Sequence, residues 1–233
     1  KKITKKTKGI IIVHMAGQPC DIDKIQKLCK QYRISLIEDC AHALGSEFRK
    51  KHVGNFGKTG CFSFYPTKQI TTGEGGMITT NDFKVYNKLK KLRAFGIDTE
   101  ISKRKKPGQY DVKMLGLNYR MTDFQAALGI SQIKNYKMNL SKRKLIAERY
   151  ISNFKNSKVK FLNFDNNSSY FVFQIFVKNR DNVLKMLAQN KIGCSIHYLT
   201  PVPLMKYYRN KYNLKKSDFK NSSDYGKFNI SLP

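Results

Sequence analysis

"GIIIVHMAGQPCDIDKIQKLCKQYRISLIED", Gly9 to Asp39, decides the fold class. It begins with GIIIVH, a short β-branched run that reads as a buried strand. Asp21 then offers a helix N-cap, and Ile22, Ile25, Leu28, Cys29 and Tyr32 recur on one helical face. A second short apolar run, ISLIED (34–39), follows at once. Strand, helix, strand is the repeating unit of a parallel sheet, so this stretch predicts an α/β domain.

Working outward, GCFSFY (60–65) and GGMITTN (75–81) read as two further strands. DFKVYNKLKKLRAFG (82–96) reads as a helix closed by Gly96, and the polar, basic stretch 98–113 as a loop. Thr122 and Gln125 form a capping box that restarts a helix. A long helix follows through LSKRKLIAERYISNF, with Leu145, Ile146, Tyr150 and Phe154 spaced for burial. The texture changes near residue 156. KVKFLNF, YFVFQIFV and IGCSIHYL read as strands, with DNVLKMLAQN as a helix between two of them, and FNISLP as a closing strand. The division expected is 1–155 in a large α/β domain and 156–233 in a smaller α+β domain.

Composition bounds the function. The chain has 233 residues, 40% hydrophobic, enough for a sizeable core, and a formal net charge of +29. A polyanion partner is one reading of that charge. Lysine greatly outnumbers arginine, however, and is spread along the chain, as expected of a solvated surface. Five cysteines, at 20, 29, 40, 61 and 194, include no C-x-x-C pair, which excludes zinc-ribbon and thioredoxin-like readings. Their odd number and lack of a disulfide framework fit a reducing compartment, and a cytoplasmic location is expected. No apolar run reaches the roughly 20 residues of a membrane span. The chain starts on Lys and stops on a strand, so a fragment cut at both ends is expected.

The chemistry gathers where strands end. Ligands of open α/β sheets lie beyond the carboxyl ends of strands. Glu38 and Asp39 close the second strand and point to opposite sides, so one of them faces a site. Lys68 follows the third strand, with Phe62, Phe64 and Tyr65 available as a dry wall that would depress its pKa. Ser63 is a hydroxyl inside an aromatic strand, bonding either backbone or an anion. Gly73, Gly75 and Gly76 form either a hairpin turn or a phosphate cradle. Asn118 and Arg120 stand just before a capped helix, where anions are favoured. GKT at 57–59 is not a P-loop, because His52 stands where its first glycine would be. Taken alone, each of these residues has an ordinary structural explanation.

Their order does not. IEDCAHALGSEF, VGNFGKTGCFSFYPTKQITTGEGGMITTND, LGLNYRMTDFQAALGISQI, IHYLTPVPL and ISLP together resemble the DegT/DnrJ/EryC1/StrS family of pyridoxal-phosphate-dependent sugar aminotransferases, across nearly the whole chain. The resemblance implies a fold-type I transferase: a mostly parallel sheet flanked by helices, with a smaller C-terminal α+β domain. It makes Lys68 the catalytic lysine that bonds the cofactor, pyridoxal 5'-phosphate. Asp39 would pair with the pyridine nitrogen, and His42 would lie near the ring, where many relatives carry Gln. Ser63 would bind the phosphate, and Asn118 would reach it from the partner subunit of a homodimer. Arg120, His197 and Tyr198 are implied on the substrate side, although His197 also reads as a satisfied structural histidine.

No metal is implied. The reaction implied moves an amino group from an amino acid, glutamate by expectation, to a keto group of a nucleotide-linked sugar. His42 leans this toward C4 of a UDP- or dTDP-4-keto-6-deoxy sugar, in surface glycan or polysaccharide synthesis. Two other classes compete. One is a binding or regulatory protein that kept the fold without the chemistry. The other is a nucleic-acid module, for which the chain offers no recognisable helix-turn-helix, aromatic RNA platform or zinc site.

Overall fold

The structure is a computed structural model that describes residues 2–99 and 101–233. In chain order the elements are β1 (Gly9–Val13), α1 (Ile22–Tyr32), β2 (Ser35–Asp39), β3 (Glu47–Phe48), β4 (Lys51–His52), β5 (Thr59–Ser63), β6 (Gly76–Thr79), α2 (Phe83–Leu92), α3 (Asp123–Lys134) and α4 (Tyr136–Phe154). Then come β7 (Lys160–Phe161), β8 (Phe173–Phe176), α5 (Arg180–Gln189), α6 (Lys206–Lys211), α7 (Lys220–Phe228) and β9 (Asn229–Leu232). Contacts divide the chain into two compact units. One holds 1–140 with Asn167–Ser169, the other 141–166 with Tyr170–Pro233. The division falls inside α4, whereas the sequence texture changes near 155.

The first unit is the expected α/β layer. Its main sheet has the order β1-β2-β5-β6. β1, β2 and β5 run parallel, and β6 returns antiparallel to β5 with Ser63 opposite Gly76. The connection between them carries Gly73 at φ +77°, a conformation open to glycine at little cost. The core joins Ile12 and Leu36 of the sheet to Ile22 and Cys29 of α1, with Cys40, Ala43 and Val53 from the following loops. Asp21 caps α1 by accepting from the Lys24 amide at 3.3 Å. Leu28 and Tyr32, expected on the buried face, are respectively 36% and 49% exposed, so Ile22 and Cys29 carry the contact of α1 with the core.

The second unit builds its own core from aromatics. Phe173 of β8 stacks on Tyr150 of α4 at 4.8 Å between ring centroids, and Phe154, Phe161 and Phe164 close around it. Leu145 and Ile146 point away from this cluster and are 66% and 53% exposed, contrary to the burial expected of them. The strand expected over 192–199 does not form. A single bridge joins Ser195 to Ser231, and the next alternate amide, His197, donates to the Asn229 side chain, so the ladder cannot propagate.

Candidate active site

Asp39, Ser63 and Lys68 come together at the carboxyl ends of the parallel strands. Asp39 ends β2 and lies beside Cys61 of β5, two residues before Ser63. Its Oδ1 accepts from the Ala41 amide at 3.0 Å, which fixes the carboxylate in the turn after the strand. Lys68 rides on the loop from β5 to β6. Its amide donates to the Tyr65 carbonyl at 2.9 Å, and the Thr72 amide returns to the Phe64 carbonyl at 3.0 Å. Burial pushes the Lys68 amine below the ordinary lysine range, and the nearby Asp39 carboxylate partly opposes that by favouring the charged form. Ser63 Oγ accepts from the Tyr65 amide at 3.3 Å, and among the described residues nothing accepts its proton.

The expected dry wall is only partly built. Phe64 is 6% exposed, but Tyr65 is 47% exposed. A polar network does the rest. Gln69, next to the lysine, donates its Nε2 to the His42 carbonyl at 2.6 Å and to Ser169 Oγ at 2.9 Å. Ser169 donates to the same His42 carbonyl at 3.1 Å, and Ser46 donates to the Gly17 carbonyl at 2.6 Å beside it. His42 is buried on the turn after β2, so the Lys68 loop and the His42 turn are bonded to one another. Sequence reading passed over Gln69, Ser46 and Ser169. Their signal is only burial, which a polar residue in a loop does not announce.

Glu38 resolves the question of the paired acids. It is fully buried on the other face of β2 and has no part in the site. Amides of Gly54, Phe56 and Gly57 donate to it at 2.7–2.8 Å, and the buried His14 Nε2 lies 3.2 Å away. The Cys20 amide donates to His14 Nδ1 at 3.1 Å, so Nε2 carries the proton toward Glu38. Desolvation would raise the Glu38 pKa, yet the His14 and backbone hydrogen bonds together hold it below the ordinary carboxylate range. His14, Glu38 and Cys40 place possible ligand atoms within 4.8 Å of one another. Glu38 already serves four donors and burial pushes the Cys40 thiol strongly up, so this cluster is a structural lock. All five cysteines are free, with burial raising each thiol, which leaves no activated thiol nucleophile.

Asn118 and Arg120 lie on the segment after α2. Arg120 Nε donates to Asn118 Oδ1 at 3.1 Å, and its guanidinium lies 5.1 Å from the Phe95 ring centroid. Asn118 bridges to Ala94, and the expected capping box at Thr122 and Gln125 is formed. Gln125 also donates to the Glu74 carbonyl at 2.8 Å, which ties α3 to the glycine turn. His197 and Tyr198 belong to the second unit. His197 Nδ1 bonds Ser231 Oγ at 2.8 Å, and its carbonyl accepts from the buried Gln174. Tyr198 is 53% exposed. A groove of about 790 Å³ at the amino ends of β2 and β5 contains none of these residues.

Pyridoxal phosphate can be tested against these groups by the chemistry of the donors. A lysine amine depressed by burial, a carboxylate within its electrostatic reach and a hydroxyl with an uncommitted proton match an aldehyde, a ring nitrogen and a phosphate. The residues present therefore fit the group.

Comparison with known proteins agrees. The DegT/DnrJ/EryC1/StrS aminotransferase family matches residues 1–233. The chain is 33% identical to UDP-4-amino-4,6-dideoxy-N-acetyl-beta-L-altrosamine transaminase of Helicobacter pylori, over 100% of this chain and 62% of that protein. It is also 33% identical to GDP-perosamine synthase of Vibrio cholerae, over 100% of this chain and 63% of the other. Among solved structures, the PMP form of the putative sugar aminotransferase Spr1654 from Streptococcus pneumoniae superposes with a TM-score of 0.92 at 28% identity, covering 99% of this chain and 65% of that one. The chain thus spans a little under two thirds of the length of each.

Proposed function

The chain belongs to the DegT/DnrJ/EryC1/StrS aminotransferase family, and from that premise we propose that the protein is a pyridoxal-phosphate-dependent aminotransferase acting on a nucleotide-linked keto sugar in surface glycan synthesis. The observation that carries this reading is the Lys68 amine, depressed by burial and held within the field of Asp39 at the strand ends. When bound, the cofactor supplies an aldehyde that bonds an amine and a ring that draws electrons from a breaking C–H bond.

Each residue then has a task. Lys68 Nζ, more easily neutral than a surface amine, would hold the cofactor through its aldehyde and, once released, would be the group placed to take up and return a proton. Asp39 would hold a proton on the ring nitrogen. Ser63 would donate its uncommitted hydroxyl proton to the phosphate. His42 would stand beside the ring, and Gln69 keeps its turn and the Lys68 loop in register. Arg120 is the candidate of the first unit for binding the sugar nucleotide, and His197 and Tyr198 are the candidates of the second. Relatives whose names specify a UDP sugar and a GDP sugar are equally similar to this chain, so overall similarity does not choose the nucleotide.

The working unit is a homodimer in which Asn118 completes the partner's site. Its support is apolar surface. Phe124, Leu115 and Tyr119 are 92%, 88% and 74% exposed, and α3 is apolar on several faces while burying only Gly129. No helix among the described residues is long and apolar enough to cross a membrane.

Absorbance of the protein with pyridoxal phosphate tests the reading. A visible band of lysine-bound cofactor is expected, bleached by glutamate and absent in Lys68→Ala, with turnover reduced by at least ~10³-fold. A folded protein that never develops the band is instead a binding protein that kept the fold.

A further inference from the structure

The second unit contains a cavity of about 440 Å³ between α5, α7 and the segment after Tyr198. Its construction begins at Gly226. A Cβ there would meet the Leu199 carbonyl oxygen at 2.4 Å and the Tyr198 carbonyl oxygen at 2.6 Å, so only glycine lets α7 pack this closely. That packing brings Arg180, Arg209, Lys216 and Lys227 around one space, against a single lining carboxylate, Asp224.

Surface lysines alone would mean little in so basic a chain. Two further observations concern groups inside the wall. Arg180 is 8% exposed at the start of α5. Its Nη1 donates to the Gly226 carbonyl at 3.2 Å and its Nε lies 2.6 Å from Asp181 Oδ1, whereas nothing among the described residues accepts from Nη2. Ser223 Oγ is buried in the same wall and bonds to nothing among the described residues. Nη2 is thus the unpartnered edge of a largely buried guanidinium, and Ser223 Oγ is a desolvated hydroxyl without a partner, which is costly; an anion satisfies both.

We propose that this cavity binds a phosphoryl dianion, with Arg180 Nη2 and Ser223 Oγ as its floor and Arg209, Lys216 and Lys227 as its rim. Asp181 and Asp224 offset part of the charge of the four cations, and a ligand with a single carboxylate would add only one charge on two oxygens. A diphosphate offers more charge and more acceptor oxygens in the same volume. The site stands apart from the aminotransferase reading, since none of its residues belongs to the Lys68 constellation.

Calorimetric titration with inorganic pyrophosphate, at about 0.1 M salt to screen diffuse surface charge, tests it. The Lys68→Ala protein is titrated too, so that failure of the transamination chemistry cannot be mistaken for failure of the pocket. Arg209 and Lys216 are exposed, so Arg209→Gln with Lys216→Gln should melt like the parent yet bind pyrophosphate about tenfold more weakly. Ser223→Ala should weaken it about threefold. Glutamate at equal concentration should not displace it. Competition by UDP would identify the ligand as a nucleotide's diphosphate, and additive binding would identify a free phosphoryl compound; either outcome upholds the site. Unchanged affinity in the double variant, or loss of binding in Ser63→Ala alone, would overturn it.

Discussion

At Lys68 two influences oppose one another. Burial favours the neutral amine and Asp39 favours the ammonium, with burial the larger. The sign gives a test that needs no cofactor. Lys68 should be acylated by an amine reagent at lower pH than the exposed lysines, and Asp39→Asn should lower its midpoint further, because the opposing charge is gone. Mass-spectrometric labelling across pH reads both, and a Lys68 that titrates with the bulk lysines would remove the physical basis of its role. Glu38 makes the contrasting case. Its pKa is depressed, so the stability it contributes is present above the ordinary glutamate value and is lost as pH falls through its folded value. Glu38→Gln would turn an amide donor toward backbone donors, and denaturant unfolding near pH 7 should register a loss of about 3 kcal/mol. Sequence alternation said that only one of Glu38 and Asp39 faces the site. Which one, and that the other is locked by loop amides from Gly54 to Gly57, depends on a loop the alternation does not describe.

Among the elements, the segment after α2 positions Asn118 and Arg120. The Phe95 and Tyr119 amides donate to the Leu117 and Arg93 carbonyls, which lays 117–119 along the end of the helix. Gly96 permits this, with φ +74° and a Cβ position only 1.7 Å from the Met114 carbonyl oxygen. Gly96→Ala should therefore cost about 2–4 kcal/mol in thermal or denaturant unfolding and loosen 114–120 in hydrogen exchange. An unshifted midpoint would mean that the segment is held elsewhere. The sequence placed the end of α2 at Gly96, but the helix stops at Leu92 with Arg93 as its cap, and Gly96 serves the turn beyond it. The failure of 192–199 as a strand was not legible in the sequence, since its amides are taken by partners some thirty residues away.

For the whole molecule, the exposed apolar residues of α3 and the preceding loop are the largest unmet demand for burial. Phe124→Glu should convert a dimer into monomers in sedimentation and abolish turnover, because Asn118 then has no partner site to complete. A variant that stays dimeric would assign that surface another role. The dispersed positive charge is expected to influence encounter rates with anionic substrates more than affinity, and so to weaken with salt.

The main sheet, most helices and their N-caps were legible in the sequence, because strand and helix periods are properties of neighbours along the chain, whereas Asp39, Ser63 and Lys68 stood out only through the order of motifs that resembles a family. The lock on Glu38, the Gln69–Ser169 tie beneath Lys68 and the walls around Arg180 came from folding alone. Each joins residues far apart in the chain through buried polar groups, and a buried polar group is recognisable only once its surroundings have excluded water.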